Sequence, residues 1–222
     1  MVGEGRPGDR LEPRDDGGRA VVGNRLAPVA GGGDHVRVPE PLLRPWRAGD
    51  AAALRSAVAT TPDLVTQLPV AELVTEAACA TFIAEHLTPS GDDGWNLAVA
   101  LDDVAVGNAG LTAVDRLHGT GWVFYWLTAS TRGRGLAARA LSTLSARALD
   151  PEGANLFRLE LGHRVNNPAS CAVATRAGFV AEGIERAKLA YGSERFDVET
   201  HARLRTDPAP STPLLEVAPG TW

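Results

Sequence analysis

Cysteine is scarce in this sequence, and the scarcity bears on where the protein works. The 222 residues include only Cys79 and Cys171. Two cysteines cannot form the disulfide framework of a small secreted domain, and so few are typical of a reducing compartment. No apolar run approaches the roughly 18 residues that a membrane-spanning helix needs, and the first residues lack the apolar stretch of a signal peptide. We therefore expect a cytoplasmic protein with no membrane partner.

Positive charge is also in short supply. The formal net charge at pH 7 is −5 and the pI is about 5.6, which argues against a nucleic-acid binder and allows a cationic substrate. Hydrophobic residues make up 44% of the chain and charged residues 22%. These proportions are ordinary for a globular protein and exclude collagen-like, coiled-coil and fully disordered chains.

The two ends of the chain differ in composition from its middle. Residues 1–35 are rich in glycine, arginine and aspartate and contain no aromatic residue, so they cannot bury enough apolar surface to offset their ordering entropy. Residues 207–222 are rich in proline. We predict a mobile tail at each end, with a single domain over residues 36–206 between them.

Hydrophobic periodicity predicts a mixture of strands and helices within that domain. Asp102 and Asp103 form the predicted turn of a hairpin, Asp50 caps the first helix, and Asn167 caps the last one. The predicted strands lie at 38–46, 95–101, 104–114, 121–127, 156–162, around 180 and at 196–204, and the helices at about 50–59, 70–87, 135–148 and 167–177. Antiparallel strands followed by helical crossovers predict a mixed α/β (α+β) fold with helices covering one sheet.

The most informative segment joins the apolar strand at 121–127, interpreted as a buried central strand, to the third predicted helix. It reads Arg132-Gly133-Arg134-Gly135-Leu136-Ala137. Glycines let a backbone approach a ligand closely, and the free amides and dipole of a helix N-terminus attract an anion. The two arginines add positive charge. We therefore predict an anion site suited to a pyrophosphate.

Other interpretations of this loop remain open. The P-loop pattern Gly-x4-Gly-Lys-Ser/Thr does not occur. The dinucleotide fingerprint Gly-x-Gly-x-x-Gly/Ala fits Gly133, Gly135 and Ala138, with Glu160 at about the right distance. However, residues 128–132 separate the strand from the first glycine, and too little chain follows Glu160 for a doubly wound sheet. A glycine-rich turn that binds nothing is the third interpretation.

Two motifs resemble a known family. Arg132-x-x-Gly135-x-Ala137 matches the Arg/Gln-x-x-Gly-x-Gly/Ala signature of the GCN5-related N-acetyltransferases, or GNAT enzymes. Residues 167–183 read Asn-Pro-Ala-Ser, then Gly-Phe, then Glu-Gly, and this block is similar to that of the ribosomal-protein alanine/serine acetyltransferases, the RimJ/RimL-like branch. Residues 43–54 resemble the opening strand and helix of that branch, so the likeness covers about 38–205.

The resemblance implies a GNAT-type fold and acetyl-CoA as co-substrate. Its central, mostly antiparallel sheet would have six to seven strands and about four flanking helices. The loop amides would hold the CoA pyrophosphate, and the pantetheine arm would lie where two neighbouring strands splay apart, beside Asn167. The implied cofactor-binding residues are Trp126, Leu127, Thr128, Arg132, Gly133, Arg134, Gly135, Leu136, Ala137 and Asn167.

For catalysis the resemblance singles out Ser170 as the acid that protonates the departing CoA thiolate. The tyrosine that many relatives carry four residues later is Ala174 here. The base is less defined, because the glutamate position of the serine-acetylating branch is Leu189. Glu160 is the candidate base, and two further carboxylates near the acceptor side are Glu185 and Glu194.

No metal is expected, because the five histidines show no ligand spacing. His163 is interpreted as a loop residue, and Cys171 as a packed small residue rather than a nucleophile.

These observations favour an N-acetyltransferase that moves an acetyl group to a primary amine by direct transfer in a ternary complex. The acceptor would be a peptide N-terminus or a small-molecule amine. The alternative is an acyl-CoA-binding module, a sensor or structural protein, that keeps the fold and has lost the base. For assembly, a homodimer is left open.

Overall fold

The computed structural model describes residues 40–88 and 94–222, so the predicted N-terminal tail at 1–35 lies outside the described residues. Within these ranges the chain forms one eight-stranded sheet and four α-helices. The strands are β1 Pro41–Pro45, β2 Trp95–Leu101, β3 Val104–Asp115, β4 Thr120–Leu127, β5 Arg158–Arg164, β6 Val180–Tyr191, β7 Glu194–Leu204 and β8 Glu216–Val217. The helices are α1 Ala51–Thr60, α2 Glu76–Phe82, α3 Leu136–Leu149 and α4 Pro168–Arg176.

The strand order across the sheet is β6-β7-β5-β4-β3-β2-β1-β8. Neighbours are antiparallel except for the pairs β4–β5 and β1–β8, which are parallel. The predicted mixed fold with a mostly antiparallel sheet is therefore confirmed. None of the helices in the described ranges is long and apolar enough to cross a membrane.

The sheet is divided in its middle by a short seam. Strands β4 and β5 pair over only three residues each, 120–122 with 158–160. Beyond the seam β4 continues along β3 as far as Leu127, whereas β5 continues along β7 as far as Arg164. The two halves of the sheet therefore separate, and a gap opens between the carboxyl ends of β4 and β5.

Helices cover both faces of the sheet, and the strands alternate accordingly. On β2, Leu97 and Val99 belong to a core that includes Leu141 and Leu144 of α3. Ala98, between them, belongs to a second core with Leu54 of α1 and other residues of α1 and α2. The gap between β4 and β5 thus opens in a sheet whose two faces are already packed.

Local chemistry explains where the elements begin and turn. Asp102 and Asp103 have φ values of 47° and 65°, which places the predicted hairpin turn in the left-handed region that aspartate tolerates. Helix α2 begins at Glu76 rather than at the predicted residue 70, because the Thr75 hydroxyl accepts a hydrogen bond from the Ala78 amide at 3.1 Å. This cap fixes the helix start.

Asp50 differs from its predicted role as a side-chain cap of α1, because no cap hydrogen bond forms there. Its two carboxylate oxygens instead accept hydrogen bonds from the Arg44 guanidinium, each at 2.8 Å. Arg44 is 1% exposed, and a buried charge is costly unless it is paired. The pair therefore joins β1 to the start of α1.

The C-terminal segment also differs from its prediction as a Pro-rich tail, because it packs against the sheet and α3. Strand β8 pairs with β1, the Leu215 amide donates to the Thr143 hydroxyl at 2.8 Å, and the rings of Trp222 and Trp95 lie 5.0 Å apart. Leu215 is 4% exposed and joins the core around α3. A few apolar side chains anchor this segment despite its prolines.

We expect Leu215→Ala to destabilise the protein by about 2–5 kcal/mol, because it removes a buried side chain and leaves a cavity. The matched control is Leu214→Ala, whose side chain is 53% exposed and whose loss should change the free energy of unfolding by less than about 0.5 kcal/mol. Urea unfolding measures both. Equal costs for the two variants would mean that the C-terminal segment does not pack on the core.

Candidate functional site

The gap between β4 and β5 holds a cavity of about 330 Å³. Its walls come from the end of β4, the loop that follows, the first turn of α3, α4, and the segment after α1 that carries Asp63 and Gln67. Nine of the residues predicted from sequence line it: Trp126, Leu127, Arg132, Gly133, Gly135, Leu136, Ala137, Asn167 and Ser170. Thr128 and Arg134 belong to the same loop but do not line the cavity, and Glu160 lies outside it.

The glycine loop presents backbone rather than side chains to the cavity. Gly133 and Gly135 have φ values of 75° and 76°, a region that favours glycine. A Cβ atom at either position would meet no heavy atom within 4 Å. Gly135 precedes α3, and no side chain of the described residues caps that helix. The first amides of α3 therefore keep free N–H groups, and these groups together with the helix dipole attract an anion to this end of the helix.

The positive charge of Arg132 is paired, and the contacts of its guanidinium fix this loop. Its guanidinium donates to the Leu127 carbonyl at 3.0 and 3.1 Å and contacts the Asp63 carboxylate at 3.0 Å. A neighbouring hydrogen bond adds to these contacts, because the Ala129 amide donates to the Thr61 hydroxyl at 3.1 Å. The segment that follows α1 thereby fixes the loop, and Arg134, which is exposed, is left to supply the positive charge.

Strand β4 has backbone groups directed into the gap. The Thr128 amide donates to the Val106 carbonyl of β3 at 2.8 Å. Successive residues of a strand direct their N–H groups to opposite edges, so the amides of Leu127 and Tyr125 point away from β3. Beyond the seam no β5 residue pairs with this stretch of β4. These amides are therefore placed to donate to a ligand in the gap.

A hydroxyl pair spans the gap and was missed by the sequence analysis. The Tyr125 hydroxyl of β4 lies 2.7 Å from the Ser170 hydroxyl of α4. The Asn167 side chain accepts a hydrogen bond from the Ser170 amide at 3.2 Å and caps α4 as predicted. The resemblance pointed to position 174 for a tyrosine and gave no reason to consider Tyr125. The available signal was that a tyrosine in a buried strand generally needs a polar partner.

The environment keeps Tyr125 protonated. Burial raises the pKa of the Tyr125 phenol above its ordinary value, and the hydrogen bond with Ser170 offsets only part of that rise. Either hydroxyl can donate in this contact. In the arrangement in which the phenol, the more acidic group, donates to the Ser170 oxygen, the Ser170 proton is free to be donated to a ligand in the cavity.

The predicted carboxylates do not meet in the cavity. The Arg158 guanidinium donates to the Glu160 carboxylate at 2.6 Å and also binds Glu182. Glu185 pairs with Lys188, and Glu194 is exposed at the β6–β7 turn. Among the described residues, the carboxylate that lines the cavity is that of Asp63, which Arg132 already holds.

One further prediction is corrected by the position of a side chain. His163 lies on β5 and is buried, so it is not a loop residue. The interpretation of Cys171 as a packed small residue stays a prediction, and its thiol lies within 4.8 Å of the possible ligand atoms of His163, Glu199 and His201. The sequence separates these residues by up to 38 positions, which is why the spacing of the histidines did not reveal the cluster.

Comparison with known proteins supports the resemblance. The model of the acetyltransferase (GNAT) domain matches residues 42–180. The ribosomal-protein-serine acetyltransferase of Escherichia coli (strain K12) is 30% identical over 103 residues, which cover 46% of this chain and 56% of that enzyme. The chain therefore matches about half the length of this curated relative.

Solved structures show the same fold. RimL, a ribosomal-protein α-N-acetyltransferase in complex with coenzyme A, superposes with a TM-score of 0.66 at 21% identity, covering 74% of this chain and 94% of that one. The microcin self-immunity acetyltransferase MccE, in complex with acetyl-CoA and AMP, gives 0.66 at 18% identity and covers 74% and 92%.

The domain match spans well over half of the chain and includes the glycine loop, the seam and the first turns of α4. The relatives agree with the predicted RimJ/RimL-like branch. The chain belongs to the GNAT family of acetyltransferases.

Proposed function

We propose that the protein transfers the acetyl group of acetyl-CoA to a primary amine by direct transfer in a ternary complex. One observation carries the proposal: a single cavity runs from the uncapped N-terminus of α3 to the Tyr125–Ser170 hydroxyl pair. One end of this cavity suits a pyrophosphate, and the other end offers a proton. Acetyl-CoA requires both features, because its pyrophosphate is anionic and its departing thiolate takes up a proton.

The residues present fit acetyl-CoA. The space above Gly133 and Gly135 is open, so the backbone of residues 132–137 would hold the pyrophosphate through its amides. Trp126 and Leu127, which line the cavity, would lie along the pantetheine arm, with Asn167 beside it. The named solved relatives are complexes with coenzyme A and with acetyl-CoA, which supports this assignment.

The thioester of acetyl-CoA supplies the activated acetyl group. The amides of Tyr125 and Leu127 would donate to the carbonyl oxygen of the acetyl group, as an oxyanion hole does. Ser170 would donate its proton to the departing sulfur, whose thiol has a pKa near 8.5 and needs only a modest acid. Tyr125 would orient Ser170 and pass its own proton to it, and the proton that the acceptor amine releases to water would return to the Tyr125 phenolate.

The acceptor that best suits this cavity is an amine of low pKa. An α-amine has a pKa near 8, whereas a lysine side chain has a pKa near 10.4. At pH 7 the first pKa lies about one pH unit above the solution pH and the second more than three, so the α-amine is far easier to deprotonate. No carboxylate that lines the described cavity is free to act as a strong base. We therefore propose a peptide N-terminus or a small amine of similar pKa, deprotonated through water.

The names of the relatives point the same way. The Escherichia coli relative is a ribosomal-protein-serine acetyltransferase, and RimL acts on the α-amine of a ribosomal protein. A ribosomal protein is the acceptor that both names state, and the name of RimL specifies an α-amine, so a protein N-terminus is the acceptor class that we propose. For this chain it is the first acceptor to test.

The shortage of carboxylates also favours a second candidate function. An acyl-CoA-binding module would keep the glycine loop and the gap and would bind acetyl-CoA without transferring its acetyl group. Turnover of acetyl-CoA with a panel of peptide N-termini, small amines and aminoglycosides separates the two. CoA release well above hydrolysis with any acceptor supports the enzyme, whereas tight binding without turnover supports the module.

We expect Gly135→Asp to abolish CoA binding, because it places a carboxylate where the pyrophosphate would lie. The matched control is Gly192→Asp at the β6–β7 turn, which has φ +60° and no heavy atom within 4 Å of an added Cβ. Both variants carry the same left-handed strain of roughly 1–2 kcal/mol. Isothermal calorimetry should show CoA binding to the control alone. Equal binding by both variants would place CoA elsewhere.

We expect Ser170→Ala to lower kcat by roughly 10- to 1,000-fold, the scale of one general acid, with little change in KM for acetyl-CoA. Tyr125→Phe keeps the ring and removes the hydroxyl that touches Ser170. If Tyr125 acts through Ser170, the double variant should be no slower than Ser170→Ala. An unchanged kcat in Ser170→Ala would mean that Ser170 has only a structural role in the first turn of α4. If the two single substitutions lower kcat by factors that multiply in the double variant, Tyr125 has a role of its own.

The base role of Glu160 stays a prediction, and the geometry does not favour it. Glu160→Gln and Glu182→Gln each remove a carboxylate that binds the same guanidinium, that of Arg158. If Glu160 is only an ion-pair partner, the two variants should show the same alkaline rise in kcat/KM as the wild type. A rise that flattens in Glu160→Gln alone would identify Glu160 as the base.

A further inference from the structure

A second polar cluster lies behind the first turns of α4, away from the cavity lining. It consists of His163 on β5, Cys171 on α4, and Glu199 and His201 on β7. The potential ligand atoms of this four-residue cluster all lie within 4.8 Å of one another.

Three of these atoms are in close contact. The Nε2 atoms of His163 and His201 are 3.0 Å apart. One oxygen of Glu199 lies 3.3 Å from the first and 3.1 Å from the second. Zinc bonds of about 2.0–2.3 Å in a tetrahedron separate ligand atoms by about 3.3–3.8 Å. Small outward shifts of these side chains would therefore make room for one ion.

The ligand types suit zinc. Imidazole nitrogen, thiolate sulfur and carboxylate oxygen are its usual protein ligands, and four of them complete a tetrahedral site. Calcium and magnesium prefer oxygen ligands alone. The sequence offers a Cys/His/His/Glu set, which favours zinc over those ions.

The surroundings orient the ligands as a metal site requires. His163 Nδ1 lies 3.0 Å from the Arg164 carbonyl, so Nδ1 carries the proton and Nε2 turns its lone pair toward the cluster. Such an outer hydrogen bond is the common arrangement for histidine ligands. The side chains of His163 and His201 are 4% and 1% exposed, while that of Glu199 is 28% exposed. The ion would thus have a path in along Glu199.

Without an ion the two histidines compete for one proton. When His163 Nε2 is an acceptor, the single proton on His201 Nε2 must serve both His163 and Glu199. An ion bound to both Nε2 atoms and to Glu199 would replace this shared proton with three metal bonds. His201 Nδ1 is buried with no hydrogen-bond partner among the described residues, and it keeps that state with or without the ion.

We propose that His163, Cys171, Glu199 and His201 bind one Zn²⁺ ion. Four protein ligands leave no open position, so the ion is structural rather than catalytic. It ties β5 and β7 to α4 at the residue next to Ser170. The zinc site therefore fixes the half of the gap that carries the candidate acid, whichever acceptor the protein uses.

The test begins with the full chain after removal of metal by a chelator. Zinc titration against a competing chelator dye should give one site per chain, and free zinc at 100 times the Kd should raise Tm by roughly 5–10 °C. Cobalt in place of zinc should show the charge-transfer band of a cobalt–thiolate bond and the intense d–d bands of four-coordination.

Variants locate the ion. Cys171→Ser and His201→Gln should each weaken zinc binding by more than about 10-fold, because outer-shell changes alone cost about 10- to 100-fold. Cys79→Ala and His86→Gln are the matched controls, since these residues lie on α2 and its continuation, and their affinity for zinc should equal that of the wild type. If a ligand variant does not fold, the cobalt spectrum of the wild type decides.

Three results would overturn the proposal. The first is a wild-type Tm that does not respond to zinc. The second is a cobalt spectrum without a thiolate band. The third is zinc affinity that Cys171→Ser and His201→Gln leave unchanged, since the ion would then lie elsewhere. CoA binding, measured in parallel, reports on the proposed enzyme and is not a criterion for zinc.

Discussion

The short seam between β4 and β5 is the constraint on which the rest of the site depends. If β4 and β5 paired along their whole length, the gap would close and the backbone groups at the carboxyl end of β4 would all have partners. Because pairing ends at Trp122 and Glu160, the amides of Tyr125 and Leu127 are left for a ligand. The N-terminus of α3 and the first turn of α4 both reach the same opening, so one gap brings together the proposed anion site and the proposed proton donor.

Each wall of the gap is held by a different polar contact. Arg132 ties the glycine loop to Asp63 and to the end of β4. Tyr125 and Ser170 join β4 to α4 across the opening where β5 would otherwise pair. The four-residue cluster lies on the far side of that contact and ties α4 to β5 and β7. The gap is thus an open part of the sheet with fixed edges, and fixed edges are what a site needs in order to hold reacting groups in one geometry.

Local signals in the sequence predicted most of the fold and nine of the residues that line the cavity. Periodicity and caps located nearly every strand and helix, because neighbouring residues determine them. The glycine loop was predictable for the same reason. Tyr125, Asp63 and the four-residue cluster were not, since each meets its partner across tens of residues. The C-terminal strand was missed because prolines dominate its composition, whereas one buried leucine and one tryptophan contact hold it in place.

Hydrogen–deuterium exchange of the full chain, with and without CoA, tests at the level of single segments whether the cofactor occupies the gap between β4 and β5. CoA should slow exchange of the amides at residues 133–138 and at the end of β4, where free N–H groups point into the cavity, and should leave the β6–β7 hairpin unchanged. Protection confined to other segments, or no protection at saturating CoA, would contradict the account.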